Sequence, residues 1–314
     1  MEDCQISVVI PVYNEVENIA PLYSELKAVL EKLEAAYEII FVDDGSTDGT
    51  FQKIVDLRRA DRLIKGIRFR RNFGQSAAFD VGFKAARGAV VVATDGDIQN
   101  DPADIPKMLE KLVEGYDVVA GWRFVRKDTL EKRIFSRFAN ALYRWLARVT
   151  VHDSGCSLRV YKKSCLEDLN LFGEMHRHIP AILLWKGFKI GEVKVSHRPR
   201  RFGKTKYSLT RLIKGFLDLF VVIFWQKYSA RPIHIFGGLG LLMTTGGVIL
   251  GTYLLIKRLF FNYGLSQRNT PLLAAILVIV GVQFIISGIL ADIAIKTYYS
   301  AGHQNYVVEK QFLD

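Results

Sequence analysis

The sequence predicts an α/β fold: a doubly wound, mostly parallel sheet, followed by an interfacial amphipathic helix and two transmembrane helices. Three observations predict it. Short apolar runs alternate with helical segments at close spacing as far as Gly121. Acidic residues stand directly after three of those runs. Two long, nearly uncharged apolar stretches follow near the end of the chain.

Ile6 to Val12 reads as a first buried strand, and Asn18 to Lys32 has helical periodicity. Glu38 to Val42 is a second strand, ended by Asp43-Asp44-Gly45-Ser46-Thr47-Asp48-Gly49-Thr50, a turn from which a helix runs to about Arg59. Leu63 to Phe69 is a third strand, Gly74 to Ala86 a helix and Ala89 to Thr94 a fourth strand. Pro102 to Glu114 is a helix with Asp101 as its N-cap. Asp117 to Gly121 is a fifth strand, and Leu130 to Val149 a basic helix. There is no internal repeat.

Half of the 314 residues are hydrophobic and the net charge is +11, with a pI near 9.5. With two apolar stretches present, the charge points to an anionic membrane surface and a phosphorylated substrate rather than to nucleic acid. Cys4, Cys156 and Cys165 have no paired spacing, so no disulfide framework or zinc site is expected and a reducing compartment suits them. The first residues lack the basic and apolar regions of a cleaved signal.

Asp95, Asp97 and Gln99 stand at alternate positions beyond the fourth strand and offer hard oxygen ligands to Mg²⁺ or Mn²⁺, which keeps waters and bridges substrate phosphates. In open α/β sheets, ligands bind beyond the carboxyl ends of the strands. With Glu15, Asp43 and Asp44 at two more strand ends, five carboxylates would crowd one crevice and call for a cation and sugar hydroxyls. Helix capping accounts for any one of these turns but not for all three together. Neither a Gly-x-x-x-x-Gly-Lys loop nor a Gly-x-Gly-x-x-Gly after the first strand is present, which disfavours P-loop and dinucleotide enzymes.

Taken together, Pro11-Val12-Tyr13-Asn14-Glu15, Asp43 to Thr50 and Asp95-Gly96-Asp97-Ile98-Gln99 resemble the inverting family 2 glycosyltransferases with a GT-A fold. Within them the chain is similar to the polyprenyl-phosphate group, which includes dolichol-phosphate mannosyltransferases and bactoprenol (undecaprenyl-phosphate) glucosyltransferases. The resemblance runs over essentially the whole chain. It implies that Pro11, Tyr13, Glu15, Val42 and Asp44 hold the base and ribose of a nucleotide sugar, with Gly96 in the same donor site. It assigns Asp95, Asp97 and Gln99 to the metal, and the metal to the diphosphate.

Arg123 directly follows the fifth strand, and in the resembled family this arginine faces phosphate. Lys132, Arg133 and Ser136 fall at the family's basic pair and serine, while Arg144 and Arg148 read better as a solvated face. Asp153, in His152 to Arg159, matches the family's loop before the last core strand; it either orients or deprotonates the acceptor, or is a turn aspartate. His176, His178 and His197 are poorly spaced for zinc and read as ordinary loop histidines. His197 to Tyr207 is a second basic stretch, with Arg200 and Lys206 at the family's phosphate-binding positions.

Ser208 to Trp225 mixes Arg211, Lys214 and Asp218 with apolar residues, as an interfacial helix does. Ile233 to Ile256 and Pro271 to Ile295 are each long enough for a ~30 Å hydrocarbon core, the second holding Asp292 near its end. Arg211, Lys214, Lys227, Arg231, Lys296 and Lys310 outnumber Lys257, Arg258 and Arg268 in the hairpin, which places the catalytic part in the cytoplasm. Glycines in the first span suit close helix packing and a homo-oligomer through the membrane. The expected organisation is a cytoplasmic catalytic domain over 1–207, an interfacial region over 208–230, a two-helix membrane hairpin over 231–298 and a cytoplasmic tail over 299–314. The expected reaction moves a hexose from a nucleotide sugar, of UDP-glucose or GDP-mannose type, to an undecaprenyl or dolichyl phosphate. A processive polysaccharide synthase would carry a Gln-x-x-Arg-Trp segment before the spans, and none is present. A non-catalytic lipid-binding scaffold would be expected to lack one of the metal ligands, and all three candidates remain.

Overall fold

The computed structural model describes residues 4–124, 151–167, 169–171, 173–199, 232–261 and 269–300. The chain forms two compact units, Met1–Ile223 and Phe224–Asp314.

The first unit is built on β1 (Ile6–Val12), α1 (Val16–Leu30), β2 (Tyr37–Asp43), α2 (Thr50–Ala60), β3 (Ile64–Arg68), α3 (Gln75–Ala85), β4 (Val90–Ala93), α4 (Ile105–Val113), β5 (Val118–Trp122), β6 (Arg159–Lys162), α5 (Ile179–Trp185) and β7 (Ile190–Lys194). Its sheet has the order β3-β2-β1-β4-β6-β5-β7. Every expected strand and helix in the first 122 residues forms, with ends within a residue or two of those expected, except that α4 starts at Ile105 and the expected first turn, Pro102–Asp104, is a 3-10 helix. Asp101 caps that 3-10 turn, accepting from Ala103 N at 3.0 Å, while the N-cap of α4 itself is Asp104.

Alternation along the strands explains the layers. Val8, Ile10 and Val12 point to one face with Ile19, Leu22 and Leu26 of α1, Ile54 of α2 and Met108 of α4. Val9, Val91 and Ala93 point to the other, with Phe79 and Phe83 of α3 and Leu183 of α5. The sheet is therefore covered on both sides, which is why its central strands read as continuous apolar runs.

From β1 the chain steps outward through β2 to β3, then returns to the other side of β1 as β4. The strand order thus reverses between β1 and β4, the place where doubly wound sheets bind ligands. One feature departs from the expected pattern. β6 is antiparallel to both β4 and β5 and lies between them, so the sheet is mixed. Consequently the segment before β6 ends at the same rim as the segments after β4 and β5. β7, at the far edge beside β5, was not expected from its polar sequence Ile190-Gly-Glu-Val-Lys194.

The second unit is a pair of long apolar helices, α6 (Ile233–Phe261) and α7 (Thr270–Ser300), each long enough to cross a membrane. Small residues set their contact. A Cβ on Gly240 would lie 2.5 Å from Gly281 O, and one on Gly247 would lie 2.9 Å from Ala274 O. Only glycine at these positions lets the backbones approach so closely. Phe236 stacks on Phe284 at 6.2 Å, whereas Leu241, Leu242, Ile249 and Leu290 are exposed as lipid-facing residues would be. Asp292, the charge within the second span, pairs with Lys296 one turn on, at 2.7 Å.

Candidate active site

The turns after β1 and β2 are wired to each other. Asn14, at φ +54°, donates its N–H to Ser46 Oγ at 2.8 Å and accepts from Thr47 N at 2.9 Å. Glu15 N donates to Thr50 Oγ1 and Val16 N to Asp48 Oδ2. Gly45 has φ +76°, and a Cβ there would stand 2.5 Å from the Arg71 backbone carbon, so no other residue fits the turn.

The wiring changes the expectation of five crowded carboxylates. Asp43 is fully buried and accepts from Ser46 N at 2.9 Å, with Arg68 Nε 3.5 Å away. Asp44 receives Phe73 N at 2.7 Å and Gly74 N at 2.9 Å, one on each oxygen. Glu15 accepts from Asn18 Nδ2 at 2.5 Å. Asp44 is thus met on both oxygens, Glu15 on one, and Asp43 Oδ2, which has no hydrogen-bond partner among the described residues, has the Arg68 charge beside it. Tyr13 and Glu15 remain half-exposed at the rim, while Pro11 and Val42 are buried and shape it from within the sheet.

Asp95 and Asp97 are different. Asp95 is half-buried and accepts from Gln75 Nε2 at 2.6 Å. Burial and the neighbouring Asp97 charge push its carboxyl up to about 6, against the pull of Ser157, Arg123 and Arg159. Asp97 is buried and accepts from Gln99 N at 3.2 Å. Gly96 lets the turn tuck under β1, since a Cβ would meet Val12 Cγ1 at 2.6 Å. Ile98, buried and β-branched, adopts φ +59°, a strained conformation that turns the chain sharply between Asp97 and Gln99.

The donor set fits a divalent cation. Two carboxylates that repel one another enough to raise a pKa are relieved by a positive charge between them. Among the described residues, no group of three or more His, Cys, Asp or Glu could hold a metal by itself. Two carboxylates and an amide would leave further positions to water and phosphate oxygens, as Mg²⁺ and Mn²⁺ prefer. A proton competes for Asp95 below about pH 6. Mn²⁺ affinity, titrated by electron paramagnetic resonance with nucleotide present, should be flat from pH 7 to 8. Well below pH 6 it should fall by about tenfold per pH unit. A profile flat to pH 5 would contradict this.

Across the rim, Arg123 follows β5 and forms a two-pronged ion pair with Asp153: Nε to Oδ2 at 2.7 Å and Nη2 to Oδ1 at 3.0 Å. Asp153 Oδ1 also accepts from Gly155 N at 3.2 Å. To the readings open to Asp153 from sequence, orienting or deprotonating the acceptor or closing a turn, the geometry adds one that was not foreseen, an ion pair that orients Arg123. His152 stacks on Trp122 at 4.4 Å and meets Glu192 at 2.7 Å.

Sequence reading overlooked Arg159. It is buried beneath the same rim and donates to His176 O at 2.7 Å and Ser154 O at 2.6 Å. Its signal was a cation set between Leu158 and Val160 in a strand, which reads equally well as a solvent-facing residue. His176 in turn meets Ser76 Oγ at 2.9 Å. Burial, with Arg177 and Arg159 nearby, lowers His178 to about 4, so it is neutral at ordinary pH. Burial pushes Cys156 up to about 11 and Cys165 to about 12, which leaves both as unreactive thiols; all three cysteines are free. Lys132, Arg133, Ser136, Arg200 and Lys206, with the helices expected over 130–149 and 208–225, lie outside the described residues.

Residues 7–169 match the profile of glycosyl transferase family 2. The chain is 37% identical over 323 residues to dodecaprenyl-phosphate galacturonate synthase of Rhizobium johnstonii, covering 100% of this chain and 95% of that one. It is 33% identical over 296 residues to undecaprenyl-phosphate 4-deoxy-4-formamido-L-arabinose transferase of Salmonella paratyphi A, covering 94% and 89%. In fold it is similar to glucosyl-3-phosphoglycerate synthase of Mycobacterium tuberculosis, solved with Mn²⁺ and UDP-glucose. That likeness has a TM-score of 0.53 and 20% identity over 71% of this chain and 79% of that one.

Proposed function

We propose, since the chain belongs to glycosyl transferase family 2, that it transfers a sugar from a nucleotide sugar to a polyprenyl phosphate at the membrane surface. The observation that carries the reading is the Asp95–Asp97 pair at the strand-order reversal, with its raised carboxyl pKa. Relatives at 37% and 33% identity are named for polyprenyl-phosphate substrates and support the acceptor class. They are named for galacturonate and a formamido-arabinose, so the donor is a nucleotide sugar in general rather than a UDP-glucose or GDP-mannose type alone.

In this reading Tyr13, Glu15 and Asp44 border the nucleotide, backed by Pro11, Val42 and Gly96. Asp95 and Asp97, with Gln99 two residues on, hold Mg²⁺ or Mn²⁺, which when bound neutralises the charge of the departing diphosphate. A phosphate oxygen of the lipid attacks the anomeric carbon as the bond from that carbon to the diphosphate breaks, which inverts the configuration. A phosphate monoester has a second pKa of ~6 and is largely dianionic at pH 7, so no strong base is needed. Asp153 acts on Arg123 instead, holding the Nε–Nη2 edge of its guanidinium and leaving Nη1 for a phosphate. Lys132, Arg133, Ser136, Arg200 and Lys206 complete the acceptor phosphate site. The two apolar helices anchor the chain, with the catalytic unit in the cytoplasm where nucleotide sugars are made.

The test is transfer by the purified protein in nanodiscs with Mn²⁺. A panel of labelled nucleotide sugars, uronate and aminosugar forms included, is offered with a polyprenyl phosphate, the free prenol or a soluble glycan. An acid-labile, inverted sugar–phosphate–lipid is expected from the first acceptor alone; transfer only to the prenol or the glycan would refute the reading. Arg200→Ala should lower turnover at least tenfold while the protein stays in the membrane fraction, and Arg200→Lys should also be poor because an ammonium lacks the planar fork. Normal turnover with lost membrane association would reassign Arg200 to the bilayer.

A further inference from the structure

The segment entering the second basic stretch is fastened to the metal-bearing turn. Asn100 forms an antiparallel bridge with His197. Arg198 N donates to Gln99 O at 2.9 Å, and Gln99 Nε2 lies 3.5 Å from Arg198 O. Ser196 N donates to Asp104 Oδ2 at 2.6 Å. The Arg198 guanidinium then forks between two elements, Nη1 to Glu25 Oε2 of α1 at 2.6 Å and Nη2 to Asp101 Oδ2 at 2.7 Å.

A single exposed ion pair contributes little. Here two carboxylates and two main-chain contacts converge on one residue, and all three charged side chains are partly shielded. The turn they grip contains Ile98 in its left-handed conformation. Such a conformation persists only where the surroundings over-determine it, and Ile98 separates Asp97 from Gln99.

We propose that Arg198 is a positioning residue whose fork to Glu25 and Asp101 holds the strained turn, presenting Asp97 and Gln99 to the metal and tying the acceptor-side basic stretch to it. This rests on the sugar-transfer reading for its chemistry. Linkage then runs both ways: whatever steadies the turn steadies the start of the basic stretch, and the reverse.

The test uses the full chain in nanodiscs, with Mn²⁺ and UDP as probes and hydrogen exchange over residues 95–101 and 195–199. Arg198→Gln should raise the Mn²⁺ Kd in the presence of UDP about tenfold, ~1.4 kcal/mol, and speed exchange in both segments. UDP affinity in EDTA should stay unchanged, which a general loss of structure would not allow. Glu25→Gln, away from both loops, should move the same readouts in the same direction by less, and Arg198→Lys should recover part of the loss. Unchanged Mn²⁺ affinity and exchange in Arg198→Gln, or an equal weakening of UDP binding in EDTA, would overturn the proposal. A wild-type chain that transfers no sugar defeats the sugar-transfer reading instead, and the exchange rates still judge the clamp.

Discussion

Asp97→Asn should lower sugar transfer about a thousandfold, ~4 kcal/mol of transition-state stabilisation, with the fold unchanged. The reason lies in the contrast among the acids of the crevice. Asp43, Asp44 and Glu15 are met by N–H groups of the protein. Burial, and then the Asp97 charge beside it, make Asp95 costly to ionise and raise its pKa. Removing one charge removes the repulsion together with the attraction for a cation. Asp97→Asn should therefore lower the Asp95 pKa, leaving the larger part that burial imposes, while abolishing Mn²⁺ binding. Nanodisc assays with and without EDTA, and carboxyl chemical shifts followed by NMR, check the two halves. Undiminished turnover in EDTA or in the variant would contradict the assignment.

Arg123→Ala should be costly in two separable ways. Its partner Asp153 is 4% exposed in the side chain and would lose the guanidinium that meets both of its oxygens. Breaking such a pair costs about 3–5 kcal/mol of stability. Loss of an aimed phosphate donor should also lower turnover by about a hundredfold to a thousandfold. Arg123→Met combined with Asp153→Leu should restore much of the stability, because an apolar pair of similar volume replaces a buried ion pair well. It should not restore transfer. Thermal unfolding followed by tryptophan fluorescence, beside the transfer assay, separates the two effects. Recovery of both in the double variant would make the pair purely structural.

The sequence was most legible where one residue type had one physical use. Val8, Val9 and Ile10 can only be a strand buried on both faces, and Asp95-Gly96-Asp97 marks its site by position after such a strand. It was least legible where an acid had several. Nothing near Asp44 shows that its oxygens take the N–H groups of Phe73 and Gly74, because those partners come from another turn 29 and 30 residues on. Asp153 and Arg123 likewise sit 30 residues apart. The resemblance supplied both residues, and only the fold supplied their pairing. β6 and β7 were obscured by brevity and by polar residues in Arg159-Val-Tyr-Lys162 and Ile190-Gly-Glu-Val-Lys194. Short mixed strands draw their stability from the neighbours they pair with rather than from their own composition.

The antiparallel placement of β6 bears on how the chain comes to its fold. β1 to β4 can join as they are made, with Ile6 of β1 meeting Val90 of β4 only after β2 and β3 have been made. β5 forms no pair with β4; the outer edge of β4 and the near edge of β5 wait for β6, made some forty residues after β5 starts, and the far edge of β5 waits for β7. A chain emerging from the ribosome therefore carries unpaired edges on β4 and β5 at once, and apolar edges of this kind invite pairing with other chains. In the proposed reading, the half that would border the nucleotide can be complete while the half that would meet the lipid phosphate is still open, and β6 is the strand that joins the two.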